Sequence, residues 1–106
     1  MQQKPIVGNY NMHDDSRDFF INLLKGSAPI DLLPCQVHCF MAETNNYRWH
    51  ILFGAGCIIV EKYDHNDDVD GLRMKAHYIE YGDLVDPDYD PQKTIDEIFT
   101  IIEKEQ

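Results

Sequence analysis

Positive charge is scarce in this sequence. Nine Lys and Arg stand against nineteen Asp and Glu, a formal charge of −10 over 106 residues. So anionic a chain repels phosphate backbones and anionic lipid, which argues against direct nucleic-acid or membrane contact and for a cationic protein partner. Long apolar runs are lacking as well: nothing approaches the roughly 20 residues of a membrane-spanning helix. Met1, Gln2, Gln3 and Lys4 open the chain without the apolar segment of a signal peptide, and a cytoplasmic location is expected. Cysteine is sparse, and the three residues cannot all pair; reduced, buried thiols are expected. A Cys35–Cys39 bridge is poor geometry on an extended strand. There, Cα atoms four positions apart lie about 13 Å from one another, against the roughly 4.4–6.8 Å that a disulfide spans.

Signature motifs of catalysis are missing too. The chain contains no G-x-S-x-G, no P-loop, no H-E-x-x-H and no dinucleotide fingerprint, which removes the enzyme classes built on them. Repeats, low-complexity tracts and Gly/Ser linkers are likewise absent. What is present is the composition of a folded domain: 43% hydrophobic and 11% aromatic residues suffice for a core and do not fit an acidic disordered chain. At this length a single domain over residues 1–106 is expected.

The periodicity predicts a helix over 15–25, capped by Asp14 or Asp15 and stopped by Gly26, with Phe19, Phe20, Leu23 and Leu24 on one face. An irregular connection follows, since Pro29 and Pro34 deny ladder hydrogen bonds. From Gln36 the period becomes two. Val37, Cys39 and Met41 alternate with His38, Phe40 and Ala42 up to a turn at Asn45-Asn46. The returning strand 47–53 sets Tyr47, Trp49, Ile51 and Phe53 against Arg48, His50 and Leu52. Strands over 57–63 and 72–81 complete the set. Asp90 followed by Pro91 opens a last helix with Ile95, Ile98, Phe99 and Ile102 in a stripe. Its final residues, Glu103 to Gln106, read as solvated. The predicted fold is α+β: a four-stranded antiparallel meander with the N- and C-terminal helices packed on one face, α-β-β-β-β-α. Trp49 and Ile51 point to one sheet face as the covered one; Phe40, Leu52 and Ile79 point to the other.

Several residue groups invite a chemical reading. Cys35, His38 and Cys39 are metal-ligand types, but C-x-x-H-C is not a zinc-finger spacing and no second pair follows. The 64–75 stretch superficially matches a calcium loop at Asp64, Asn66 and Asp68. It carries Val69 where Gly belongs and Lys75 where Glu belongs. No metal and no cofactor is therefore expected. His38, His50 and His77 would line a groove if all three lay on the outer sheet face, the basis for an alternative reading as an enzyme or small-ligand domain. A further alternative is a homodimer formed through an exposed sheet face. Gly54-Ala55-Gly56 is a turn.

The acidic excess is uneven. Asp64, Asp67, Asp68, Asp70, Glu80, Asp83, Asp86, Asp88 and Asp90 face only Arg73 and Lys75 in that part of the chain. Within 81–90, aromatic and aliphatic residues alternate with carboxylates, the mixture of apolar anchor and charged rim found at interfaces. The expectation is a small acidic inhibitor of a basic protein, either an immunity protein against a toxic nuclease or a phage-type inhibitor of a nucleic-acid-binding host enzyme. Asp64, Asp67, Asp68, Asp70, Asp83, Asp86 and Asp88 would supply the charged contacts and Tyr81 and Tyr89 the anchors, with no catalytic residue. The protein would act as a monomer or weak dimer. Short, acidic and α+β, the chain is similar in kind to bacterial immunity proteins, a likeness of composition rather than of motif.

Overall fold

The computed structural model describes residues 12–64 and 73–106, with side chains over 16–64 and 75–106. Helix α1 (Met12–Ser27) leads into strands β1 (Leu33–Gln36), β2 (Cys39–Glu43), β3 (Tyr47–Phe53), β4 (Cys57–Asp64) and β5 (Arg73–Glu80), and helix α2 (Pro91–Glu105) ends the order. The strands pair antiparallel in sequence order as one five-stranded meander. The architecture is α+β as expected, with five strands in place of four.

The extra strand comes from a hairpin that breaks the run beginning at Gln36. The chain folds back over Val37-His38, and His38 takes a left-handed backbone (φ 62°). Two-residue hairpin loops require positive φ, and the usual signals are Gly or Asn. A Val-His pair carries neither, so the alternating pattern read straight through it. Pro34 sits in β1 all the same, because β1 is an edge strand whose one free side needs no donor. The turn brings the Cα atoms of Cys35 and Cys39 to 5.7 Å, and the two residues form a disulfide. The expected reduced state of these cysteines assumed one extended strand. Cys57 keeps its thiol.

Register decides which face is covered. Phe40, Ile51, Val60 and His77 stand opposite one another across β2 to β5; Phe53, Ile58 and Ile79 form the row on one side and Ala42, Trp49, Lys62 and Lys75 the row on the other. These rows share a face, and both helices pack on it: Phe20, Ile21 and Leu24 of α1 and Ile95, Ile98 and Ile102 of α2 belong to the same buried cluster as Phe40, Trp49, Ile51 and Val60. Phe40 and Ile79 thus side with Trp49 and Ile51, and Leu52 alone among the five lies opposite. Each fully buried Ile or Leu contributes about 1.5–3 kcal/mol of apolar transfer, which is what fixes the register.

Helix α1 begins earlier than the pattern predicts, at Met12, which places Asp14 and Asp15 within its first turn. It ends one residue past Gly26, where the Ser27 hydroxyl donates to the Leu23 carbonyl (2.7 Å). Helix α2 starts where predicted, Asp90 accepting the Gln92 amide at 3.0 Å and Pro91 filling the first position. With the Cys35–Cys39 bond in place, alkylation of protein unfolded without reductant should label one cysteine, and after reduction all three. Labelling of all three without reductant would refute the bond.

Candidate functional site

The 81–90 loop is built from two successive turns, each started by an aspartate. The Asp83 carboxylate accepts the Val85 amide (3.0 Å) while the Asp83 carbonyl accepts the Asp86 amide (3.0 Å). Asp86 repeats the arrangement with the Asp88 amide (2.9 Å) and the Tyr89 amide (3.1 Å). Asp at the first position and Pro87 at the second of the latter turn are the residues such turns favour. Asp83, Asp86 and Asp88 stay exposed, and at the tip of the first turn Leu84 (38% exposed) and Val85 (81%) also face solvent.

Two tyrosines hold this loop to the body. The Tyr81 ring stacks on Phe20 at 5.0 Å and its hydroxyl donates to the Gly54 carbonyl (2.9 Å). Burial pushes the Tyr81 phenol up to about 12; Arg17 opposes the rise and Cys57 adds to it. The Tyr89 hydroxyl bonds Thr94 and accepts the Gly82 amide (3.1 Å). Gly82 lies so close to the Tyr89 ring that a Cβ there would sit 2.1 Å from ring carbons. Both tyrosines, expected as contact anchors, are half-buried, with their hydroxyls engaged inside the molecule. The exposed apolar residues of the loop are Leu84 and Val85, legible as an aliphatic pair flanked in sequence by Asp83 and Asp86.

The remaining acidic candidates lie elsewhere. Asp64 is exposed at the end of β4 and pairs with Tyr47, whereas Cys57 at the other end of β4 pairs with Glu80, which leads into the 81–90 loop. Asp64 and the 81–90 loop therefore flank opposite ends of the sheet, separated by a strand length of roughly 23 Å. Asp67, Asp68 and Asp70, and with them the calcium-like stretch, lie outside the described residues.

The three histidines do not converge. His50 sits on the uncovered face in the row of Met41, Glu61 and Ala76, its ring 4.8 Å from that of Tyr63. Burial lowers the His50 pKa, Glu61 opposing and Arg48 assisting. His38 is in the β1–β2 turn, Nδ1 3.0 Å from an Arg17 guanidinium nitrogen. His77 is on the helix-covered face, with Nε2 2.9 Å from the Glu105 carboxylate. That leaves no groove lined by all three. Cys35 and Cys39 are bonded to one another and present no thiolate, and no cluster of three metal-ligating side chains occurs among the described residues. The uncovered face carries an apolar row instead, Leu52, Ile59 and Tyr78, with Tyr78 63% exposed.

Glu105, expected to be solvated, closes the polar end of the covered face. Lys62 (3.6 Å), Lys75 (3.5 Å) and His77 surround its carboxylate, and Lys62 also lies over the Tyr47 ring at 4.0 Å. Burial alone would raise the Glu105 pKa, but His77, Lys75 and Lys62 together hold it below the usual range. A carboxylate depressed on folding stabilises above its unfolded pKa, and that contribution disappears as pH falls through the folded value. Glu105→Gln should therefore lower stability at neutral pH by less than about 1 kcal/mol, the scale of a part-exposed ion cluster. In urea titrations the gap from wild type should close as pH falls through the carboxylate range; a pH-independent gap would refute the assignment.

Gly82→Ala should destabilise the protein by about 1–3 kcal/mol through the collision with Tyr89. Tyr89→Phe, which removes only the hydroxyl, should cost about 1–2 kcal/mol and raise amide hydrogen exchange through 82–89. Unchanged exchange in Tyr89→Phe would show that the loop does not depend on this post. No protein-family model, curated protein or solved structure matches the chain.

Proposed function

We propose that the protein is a small acidic inhibitor that binds a basic protein through the 81–90 loop, and that its target is a toxic nuclease neutralised in the manner of an immunity protein. One observation carries the reading: Leu84 and Val85 are exposed on a loop fixed by internal hydrogen bonds that also exposes Asp83, Asp86 and Asp88. An apolar centre within a charged rim is how interfaces divide affinity from orientation. Pre-ordering the loop lowers the entropy lost on binding. A nuclease groove is cationic because it must hold phosphates, and a compact anionic surface competes for the same field.

Under this reading the charged contacts come from Asp83, Asp86 and Asp88, and the anchoring role passes from Tyr81 and Tyr89 to the aliphatic pair above them. Asp64 lies at the far end of the sheet, away from this loop. Such an inhibitor needs no catalytic residue and no cofactor.

The test is affinity capture from extract of the native host, followed by stopped-flow kinetics with the captured partner. Reversal of the loop charge (Asp83→Lys, Asp86→Lys, Asp88→Lys) should slow association about tenfold or more at low salt, and added salt should narrow the difference. Val85→Asp should act on dissociation instead. Association unaffected by the triple reversal would overturn the proposal, as would a captured partner that is not basic.

A further inference from the structure

A cleft of about 410 Å³ lies between the C-terminal half of α2 and the segment that leaves α1. Its floor is apolar: Ile102, nearly fully buried, with Phe99 and Ile30 as walls. The cleft is distinct from the acidic loop, its lining running from Asp96 toward the C-terminal end of α2 while the loop precedes the N-terminus of that helix.

The polar lining is one-sided. Its charged residues are Asp96 and Glu103, with no Lys, Arg or His. The lining hydroxyls have their protons committed to backbone carbonyls: Ser27 to Leu23 (2.7 Å), Thr44 to Tyr47 (3.2 Å) and Thr100 to Asp96 (3.0 Å). Ser27 Oγ also accepts the Gln92 amide (3.2 Å) and Thr44 Oγ1 the Trp49 indole N–H (3.1 Å), so each of these hydroxyls can offer a ligand a remaining lone pair but no proton. Only the Gln106 amide brings a side-chain donor. The last turn of α2 adds the negative end of a helix dipole. A site of acceptors over an apolar floor discriminates strongly, because a carboxylate or phosphate would meet like charge and a single side-chain donor, the Gln106 amide. An ammonium group has three donors and no acceptor, which is the complement.

We propose that this cleft binds a small aliphatic ammonium compound, the chain lying on Ile30, Phe99 and Ile102 and the ammonium directed to Asp96 and Glu103. The volume is within the range of small-molecule sites. Asp96 already accepts from the Gln92 amide (2.9 Å), which holds its carboxylate at the rim. The Phe99 face offers the cation a further favourable contact.

The experiment is NMR titration of the intact protein at physiological salt with n-octylammonium, n-octanol and n-octanoate, each below its micellar concentration. n-Octylammonium should shift the signals of Ile30, Phe99 and Ile102 saturably and bind about tenfold or more tightly than n-octanol, a difference of about 1.4 kcal/mol; n-octanoate should bind least. Asp96→Asn with Glu103→Gln should reduce the ammonium to the level of the alcohol. Thr100→Trp, which fills the cleft from an exposed helix position, should abolish all three titrations. Equal binding of amine and alcohol would overturn the proposal, as would shifts that survive Thr100→Trp. A tetralysine peptide that shifts the same signals as strongly as the alkylamine would also overturn it, by showing charge attraction alone.

Discussion

The pairing of β2, β3 and β4 in one register is the constraint from which the rest of the molecule follows. It sets Phe40, Ile51 and Val60 side by side and gives both helices a single apolar surface to cover. A slip of one residue on any of these strands would send its buried side chains to the opposite face, at about 1.5–3 kcal/mol each. The same register carries Lys62, Lys75 and His77 onto the covered face near the C-terminal end of α2, where the Glu105 carboxylate lies against all three. It also sends His50 to the bare face, and so keeps the histidines apart. The turns follow as well: with strands paired in sequence order, alternate connections must gather at alternate ends of the sheet.

How much of this was legible in the sequence depended on whether the deciding interaction was local. Asp90 and Pro91 mark the start of α2 because an N-cap and a first-turn proline act within three residues. Strand β3 was equally clear, since Tyr47 to Phe53 alternate without interruption. The β1–β2 hairpin was hidden because Val37-His38 carries no turn residue; the fold places His38 at positive φ, and a disulfide spans the turn. The covered face could not be chosen from one strand at a time. Leu52 is as apolar as Ile51, and only the pairing of Phe40 with Ile51 shows which of them shares the helices' side. The candidate loop was legible as a mixture of carboxylates and apolar residues, but the roles within it were not. Tyr81 and Tyr89 look like anchors until Phe20, Gly54, Gly82 and Thr94 are seen to occupy them.

The division of labour inside the loop has a physical basis. A short acidic segment repels itself and would spread, so its carboxylates need fixed partners to stay close together. Asp83 and Asp86 obtain them from amides of the chain that follows, and each such bond turns a mobile charge into part of a turn. Tyr89 then links the loop's start at Gly82 to the first turns of α2 at Thr94. Rigid backbone with exposed charge is the combination that favours fast, oriented encounter over loose attraction.

The placement of Asp64 and the 81–90 loop at opposite ends of the sheet changes what the net charge of −10 does. At physiological salt the Debye length is about 8 Å, so groups roughly a β4 length apart (about 23 Å) hardly sense one another. A cationic partner at contact distance thus feels one end of the molecule, and the carboxylates of that end alone set its orientation. At low salt the field is that of the whole chain, and every carboxylate contributes to drawing the partner in. In the proposed complex, steering and docking would be separate functions of the same charges, the first global and the second confined to the loop. The inhibitor role proposed above would draw on that separation, because a surface spread evenly with carboxylates would attract a cationic enzyme strongly while orienting it poorly.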